Sequence, residues 1–303
     1  MKIVMETNLP LFSVLIANHN DGKYLLEAVE SVKAQTYTPW EIVLVDDCST
    51  DNSQELYLEL EKDSRIHVFC NKENKGCGFT KRRCLEEAKG EICGFLDADD
   101  CLTDNALQVM VEAHQTHPEC SLIYSQLYIV DPQKNIIAVS EHQHAIPQGE
   151  SFLTLHKPLV ISHFVTLKKS YYDRTEGMNA SLRIAEDVDL YMKLEEVGET
   201  LFLPMPLYYY RIDTGNNVSL VAPNRGKTLG WEVMARVAAC ERRGLPIEDH
   251  AFVILQQTIE DIKENAFQQG YEKGRQEGEK AVRGTRAYRI GKRITSLYPK
   301  KRS

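Results

Sequence analysis

The chain has 303 residues, 43% hydrophobic and 26% charged, which is typical of a soluble globular protein with one large or two small domains. Its net charge is −8, but residues 281–303 hold eight Lys and Arg and no acid, so the first 280 residues carry −16. This acidic body argues against nucleic-acid binding as the main task, whereas the basic end favours an anionic partner such as a membrane surface.

Strand and helix patterns alternate four times over about ninety residues of the first half. Apolar runs predict strands at 11–17, 41–45, 66–70 and 92–96, and helical spacing predicts helices that end near residues 35, 62 and 88. This alternation predicts βαβ units and an α/β fold with a mostly parallel, doubly wound sheet. Neither a P-loop nor a GxGxxG loop is present, which disfavours a P-loop NTPase and a dinucleotide-binding enzyme.

Polar residues follow three of these strands at their carboxyl ends: Asn18 and Asn20, Asp46 and Asp47, and Asp97 and Asp99. Right-handed crossovers place these strand ends at one edge of the sheet, where open α/β sheets bind ligands. Asp97 and Asp99 are two residues apart, so their side chains point the same way and suit a divalent metal that holds a diphosphate. The alternative is a solvated acidic turn in which Asp100 or Thr103 caps the next helix.

The second half is predicted to contain a helix at about 103–114, a strand at 121–130, and loops and short strands over 131–165. Glu186 and Asp187 begin a further helix, where the helix dipole favours anions. The functional interpretation is a carboxylate base, and the alternative is helix capping. A strand at 201–211 and a polar loop at 213–219 follow.

Pro223 and Gly226 mark a domain boundary, with residues 1–222 before it and a helical extension, 223–303, after it. In this extension Gly270, Gly274 and Gly278 recur every four residues of a charged helix. The glycines predict a face for close helix packing, and thus a homo-oligomer through the C-terminal helices. A frayed, solvated helix is the alternative.

The C-terminal end places Ile290, Ile294 and Leu297 on one helical face among cations, as in an interfacial helix. We therefore expect residues 283–302 to contact an anionic membrane surface peripherally; a solvated basic tail is the alternative. The chain shows no signal-peptide pattern and no membrane-spanning apolar run, so we expect a cytoplasmic protein at the inner face of the membrane. None of the eight cysteines forms a CxxC pair, which favours reduced thiols.

Five blocks occur in order over residues 9–220: SVLIANHN, EIVLVDDCSTDNS, EEAKGEICGFLDADD, AEDVDLYMKL and YYYRIDTGNNVS. Together they resemble glycosyltransferase family 2, of the bacterial surface-glycan type, which has the GT-A fold. The resemblance implies inverting transfer of a sugar from a nucleotide sugar, a UDP-sugar above all, to a hydroxyl of a glycan or lipid-linked acceptor. It also implies a nucleotide-binding part over about 9–102 and an acceptor part over about 103–222.

The resemblance assigns roles to particular residues. Donor binding is implied for Ala17, Asn18, Asn20, Asp46, Asp47, Lys81, Asp97, Ala98 and Arg211. Asp47 would accept from the uracil or ribose, Asp97 would lie near the ribose and donor sugar, and Arg211 near the diphosphate or acceptor. Asp99 would coordinate the metal and Asp187 would be the catalytic base, with Glu186 and Asp189 as weaker candidates.

Three positions depart from the family pattern. His19 stands where the family has a base-stacking aromatic residue, and Lys81 is the only cation kept in the segment before EEAKG. Asp213 stands where many members have a His that is a candidate metal ligand. A carboxylate suits a hard cation, so the expected cofactor is still Mn²⁺ or Mg²⁺.

Two rival functions use the same sequence features. A sugar nucleotidyltransferase also has a doubly wound sheet and a carboxylate-bound metal, but the chain lacks a Gly-rich triphosphate loop near its start. A non-catalytic nucleotide-sugar-binding or scaffold protein would not require Asp97, Asp99 and Asp187, all of which are present.

Overall fold

Four parallel strands form the first half of a single large sheet. The computed structural model describes residues 9–155, 160–182, 184–212, 214, 225–250, 275 and 280, with no side chains for 225–229. The elements of this half are β1 (Phe12–Asn18), α1 (Gly22–Lys33), β2 (Trp40–Asp46), α2 (Ser53–Leu60), β3 (Ile66–Cys70), α3 (Cys77–Glu87) and β4 (Ile92–Phe95). The four strands lie side by side in the order β3-β2-β1-β4. Each strand and helix predicted from the periodicity of this half is present.

The second half of the sheet is mixed. Its elements are β5 (Cys101–Leu102), α4 (Ala106–Thr116), β6 (Cys120–Val130), β7 (Ile136–Val139), β8 (Val165–Lys168), α5 (Lys169–Tyr172), α6 (Glu186–Glu195), β9 (Glu199–Arg211) and α7 (Arg225–Arg243). Strand β8 lies between β4 and β6 and is antiparallel to both, and the order continues through β9 to β5, with β7 at the side of β6. The predicted α/β architecture is therefore confirmed.

Helices cover the sheet on both faces, because successive side chains of a strand point in opposite directions. In β1, Val14 and Ile16 belong to one hydrophobic cluster and Leu15 to the other. Leu25 and Val29 of α1, four residues apart, are fully buried in the first of these clusters. Burying each such side chain contributes about 1.5–3 kcal/mol, so the sheet edge that bears the polar loops rests on a rigid platform.

Helix α7 packs against α6 and is part of a compact unit that extends from Met1 to Phe252. Arg236 of α7 is buried and donates hydrogen bonds to the carbonyl groups of Phe152, Leu153 and Leu155. The domain boundary near residue 222 stays a prediction. The glycine stripe and the basic segment 283–302 lie outside the described residues. Among the helices the structure describes, none combines the length and apolar character that crossing a bilayer requires.

Candidate active site

The loops after β1 and β2 are joined by buried side chains. The Asp46 carboxylate accepts hydrogen bonds from the Tyr57 hydroxyl (2.5 Å), the Asn18 amide (3.2 Å) and the backbone N–H of Ser49 (2.9 Å). The neighbouring Asn20 has φ 63° and accepts a hydrogen bond from the backbone N–H of Thr50. Asp46 and Asn18 are both buried, so the structure gives them the role of holding the two loops together.

Asp47 points the other way, toward the loop after β3. Its carboxylate accepts three hydrogen bonds of 2.8 Å, from the Asn71 amide and from the backbone N–H groups of Lys75 and Gly76. Its carbonyl oxygen accepts a 2.9 Å hydrogen bond from Nδ1 of His19. The His19 ring is exposed at the rim of this loop, next to Ala17, which is half-buried. The loops after β1, β2 and β3 thus form one surface.

Helices α3 and α6 meet through a buried ion pair. Lys81 Nζ and Cys77 Sγ both donate to Glu186 Oε1, at 3.0 and 3.1 Å. Burial alone would lower the pKa of Lys81, but the negative charge of its neighbours, Asp97 among them, outweighs burial and raises the pKa well above its ordinary value. Lys81 therefore remains a cation, and Glu186 is its counter-ion.

The two helices also touch at Gly78, in the first turn of α3. A Cβ atom at Gly78 would lie 2.2 Å from the carbonyl oxygen of Leu182 and 2.9 Å from that of Asn179. Only glycine permits this approach of α3 to the segment that precedes α6. This contact brings Lys81 within reach of the α6 N-terminus.

Asp97, at the carboxyl end of β4, lies between two basic side chains. Its Oδ1 is 3.9 Å from Lys81 Nζ and its Oδ2 is 3.3 Å from His163 Nε2. Burial acts to raise the pKa of Asp97, but Lys81 and His163 outweigh it and keep the pKa below the ordinary value. Asp97 is thus a fixed anion with about a third of its side chain exposed, and the adjacent Ala98 is buried.

Asp99 is the less compensated of the two predicted acids. Thr214 donates a 3.0 Å hydrogen bond to its Oδ2. Burial, and then the charges of Asp97 and Asp21, raise the pKa of Asp99 to about 7. The next residue, Asp100, is buried and accepts a 2.7 Å hydrogen bond from the backbone N–H of Arg211.

These oxygen donors fit a hard divalent cation. A cation would relieve the repulsion that raises the pKa of Asp99, and Mg²⁺ needs only one or two carboxylates besides waters and substrate phosphates. Within the described ranges, no three His, Cys, Asp or Glu side chains form a ready-made metal cluster. Asp213, the second predicted ligand, lies outside the described residues.

Asp187 is half-buried in the first turn of α6, which begins after Ala185 in a left-handed conformation with φ 62°. Its Oδ1 accepts a 2.8 Å hydrogen bond from the backbone N–H of Val188. Burial, and then Glu186, raise the pKa of Asp187, while Lys81 opposes the shift. Glu186 is buried in its ion pair with Lys81. Of the two neighbouring acids Glu186 and Asp187, Asp187 is therefore the one that suits proton transfer.

Arg211 has a structural position that the resemblance did not imply. Its guanidinium donates to the carbonyl oxygens of Asp99 (2.9 Å) and Pro132 (2.8 Å) and to the carboxylate of Glu27 (2.9 Å), and it lies over the ring of Tyr24. The residue is 1% exposed. The described hydrogen bonds of Arg211 thus support the backbone at Asp99, and contact with a diphosphate stays a prediction.

His163 and Tyr208 are two residues of the site that no sequence motif indicates. His163 enters the site from the region 131–165, where periodicity is weak and no motif exists. Tyr208, in the YYY segment of β9, accepts a 3.1 Å hydrogen bond from the backbone N–H of Asp97. The spacing of Tyr208 and Tyr210 along a strand indicates only that both rings lie on one face of the sheet.

Comparisons with known proteins agree with this architecture. The model of "Glycosyl transferase family 2" matches residues 13–175, more than half of the chain. The chain is 29% identical over 211 residues to chondroitin synthase of Escherichia coli. The aligned region covers 70% of this chain and 30% of that enzyme. It is 26% identical over 211 residues to hyaluronan synthase of Pasteurella multocida, and this match covers 70% of this chain and 21% of that enzyme. The chain therefore spans less than a third of the length of these two relatives.

Among solved structures, TarS 1–349 of S. aureus in complex with UDP-GlcNAc superposes with a TM-score of 0.59 at 20% identity, over 75% of this chain and 66% of that chain. At this identity the likeness concerns the fold. Another crystal structure of S. aureus TarS gives a TM-score of 0.58 at 20% identity, over 74% of this chain and 39% of that chain. Because the family model matches more than half of this chain, the chain belongs to glycosyltransferase family 2.

Proposed function

We propose that this protein transfers a sugar from a UDP-sugar to a hydroxyl group of a glycan or lipid-linked acceptor, with inversion at the anomeric carbon. The observation that carries the proposal is the convergence of Asp97, Lys81 and Asp187 at the carboxyl edge of β4. Lys81 is hydrogen-bonded to Glu186 and lies 3.9 Å from Asp97, and its charge acts on Asp187. An anion, a cation and a candidate base thus lie close together at this edge of the sheet.

The donor site of the proposal is the surface formed by the loops after β1, β2 and β3. Exposed His19 offers a ring for stacking a base, and the Asp47 carboxylate retains acceptor capacity beside its three hydrogen bonds. Asp97 would bind the ribose or donor sugar. The TarS complex with UDP-GlcNAc supports a UDP-sugar as donor, since it shares the fold.

Mn²⁺ or Mg²⁺ would be held by Asp99, together with Asp213. When bound, such an ion supplies charge that stabilises the departing diphosphate. Arg211 would keep Asp99 in place through the hydrogen bond to its carbonyl oxygen.

Asp187 would accept the proton of the acceptor hydroxyl during a direct displacement. A base whose pKa is raised toward the working pH accepts a proton more effectively, and burial with the Glu186 charge raises that of Asp187. Lys81 donates a 3.0 Å hydrogen bond to Glu186, and its own charge limits the rise in the pKa of Asp187.

The acceptor is proposed to be a bacterial surface polysaccharide or its lipid-linked precursor. Two relatives are named for synthesis of chondroitin and hyaluronan, which supports a glycan acceptor. Contact of the basic segment 283–302 with an anionic membrane would bring the site close to a lipid-linked acceptor. A homo-oligomer through the C-terminal helices stays part of the proposal.

The proposal is tested by titration calorimetry of UDP with and without Mn²⁺, with UTP and GDP as comparators, and by release of UDP from a panel of UDP-sugars. We expect metal-dependent binding of UDP that discriminates against GDP. Asp187→Asn should abolish transfer and leave UDP affinity within about twofold, since a lost general base costs on the order of 10²–10⁴-fold in rate. Preference for UTP would favour a nucleotidyltransferase, and failure of the folded protein to bind any nucleotide would favour a scaffold.

A further inference from the structure

His163 joins the acceptor half of the protein to the donor acid Asp97. It precedes β8, the antiparallel strand beside β4, and its Nε2 lies 3.3 Å from Asp97 Oδ2. The side chains of His163 and Asp97 are 18% and 33% exposed, so both remain partly accessible to solvent. The charge of His163 also acts on Asp187.

Aromatic side chains of β9 fix the plane of the His163 ring. The ring lies 4.9 Å from the ring of Tyr208 and 5.9 Å from that of Tyr210, with interplanar angles of 15° and 12°. Tyr208 is fully buried, and its hydroxyl accepts the hydrogen bond from the backbone N–H of Asp97. Tyr208 therefore supports both members of the Asp97–His163 pair, one through its hydroxyl and one through its ring.

The Asp97 carboxylate consequently has a basic partner at each oxygen. Lys81 lies at Oδ1 and His163 at Oδ2, so rotation of the carboxylate would separate it from one of these two partners. A carboxylate that accepts hydroxyl groups of a sugar must have its lone pairs aimed before the sugar binds, since misorientation of such a group weakens binding and catalysis together.

We propose that His163 is a positioning residue for the donor sugar: its Nε2–H holds Asp97 in the orientation that receives the sugar hydroxyls of the UDP-sugar. The inference rests on the proposed nucleotide-sugar donor and extends it. His163 acts through Asp97, so its loss weakens binding of the sugar part of the donor more than binding of the nucleotide part.

Two substitutions separate the contact of Nε2 with Asp97 from the ring stacking. His163→Phe keeps a ring against Tyr208 and Tyr210 but removes Nε2–H, whereas His163→Gln loses the ring but places an amide N–H at a similar reach. For each variant we would measure the Kd of UDP, and the KM and kcat for whichever of UDP-GlcNAc, UDP-glucose and UDP-galactose the wild-type protein turns over fastest. His117→Phe, at the end of α4, is the matched control.

We expect His163→Phe to raise the KM of the UDP-sugar or lower kcat on the order of tenfold, with the Kd of UDP within about twofold of wild type. His163→Gln should recover most of this loss, and His117→Phe should change nothing. An active His163→Phe beside an impaired His163→Gln would mean that only stacking matters and would overturn the inference. A loss of UDP affinity as large as the loss measured with the UDP-sugar would overturn it too. Wild-type protein that binds UDP but distinguishes no UDP-sugar from UDP would also overturn it, whereas wild type that binds no nucleotide would overturn the proposed donor itself.

Discussion

At the scale of single residues, neighbouring acids in this protein have different tasks. Asp46 is buried under Tyr57 and Asn18, while Asp47 holds the loop after β3. Glu186 is the partner of Lys81, while Asp187 remains half-buried beside it. Side-chain direction decides the task in each case, because successive residues of a strand or of a helix turn face different surroundings.

The Lys81–Glu186 pair gives a prediction about stability. Glu186→Gln leaves the Lys81 ammonium buried, with Asp97 at 3.9 Å as its remaining carboxylate. Loss of one partner of a buried ion pair costs about 3–5 kcal/mol, and Asp97 should limit the cost to about 2–4 kcal/mol in the free energy of unfolding by urea. The double variant Lys81→Met/Glu186→Gln should be more stable than Glu186→Gln alone. Additive effects of the two substitutions would contradict the assigned pairing.

A buried histidine gives a prediction about pH. His114 Nε2 lies 2.9 Å from Thr166 Oγ1, and burial, then Lys168, lower the pKa of His114 to about 3. The unfolded chain binds this proton near pH 6.5 and the folded chain only near pH 3, so the unfolded state gains protons first as the pH falls. The stability that His114 contributes above pH 6.5 should therefore be lost toward pH 3, at up to about 1.4 kcal/mol per pH unit.

The measurement is urea unfolding of wild type and His114→Gln between pH 7.5 and 4.5. Gln keeps an N–H donor near Thr166 but has no titrating ring. The advantage of wild type over the variant should shrink as the pH falls. Curves that stay parallel over this range would show that His114 does not titrate as its surroundings imply.

At the scale of elements, the position of α6 depends on its contact with α3. Gly78→Ala would place a Cβ atom 2.2 Å from the Leu182 carbonyl oxygen, so α3 and the segment before α6 must separate. We expect a loss of about 1–3 kcal/mol in unfolding free energy and a fall in transfer rate, because Asp187 moves with α6.

Gly230 in α7 is the matched control for this substitution, since a Cβ atom there meets nothing within 4 Å. Gly230→Ala should leave transfer unchanged and stabilise the protein by about 0.5–1 kcal/mol, because alanine loses less backbone entropy in a helix. If both substitutions had the same effect, the close approach at Gly78 would not be what positions α6.

At the scale of the whole molecule, every candidate site residue that the structure describes lies in the compact unit Met1–Phe252. Removal of residues 253–303 should therefore leave the affinity for UDP within about twofold. The same truncation should abolish sedimentation with vesicles that contain phosphatidylserine, because the basic segment is lost and each cation near an anionic surface contributes about 1 kcal/mol. Vesicle binding that survives truncation, or that occurs equally with neutral phosphatidylcholine, would contradict a membrane role for residues 283–302.

The parallel half of the sheet could be predicted from sequence because its strands are uniform apolar runs joined by short helices. Phe12–Asn18 and Trp40–Asp46 match the predicted strands closely, and their neighbours in the chain are their neighbours in space. The insertion of β8 between β4 and β6 could not be predicted, since Val165 lies far along the chain from both of its partners and a short strand carries little periodic signal.

The sequence singles out Asp97 because it follows a strand of the parallel half, and Asp187 because it lies at a helix start; their roles stay predictions. His163 is not singled out, because a single histidine in an aperiodic region has no spacing to interpret. The contacts of Arg211 could not be predicted from the sequence either. A cation at the end of a strand suggests a bound ligand, but the Arg211 guanidinium donates to the carbonyl oxygen of Pro132. Pro132 belongs to a loop whose position the sequence does not predict. Long-range side-chain contacts of this kind depend on tertiary structure.

The three hydrogen bonds of Asp47 have a kinetic consequence for nucleotide association. These bonds to the Asp47 carboxylate order the loop from Asn71 to Gly76. The loop therefore loses its conformational entropy when the chain folds and not when the nucleotide binds. A preorganised loop removes a closing step from the encounter, and we expect stopped-flow traces of UDP association to follow a single exponential whose rate rises linearly with UDP concentration. Asp47→Ala would release the loop, and the observed rate should then reach a plateau as loop ordering becomes limiting.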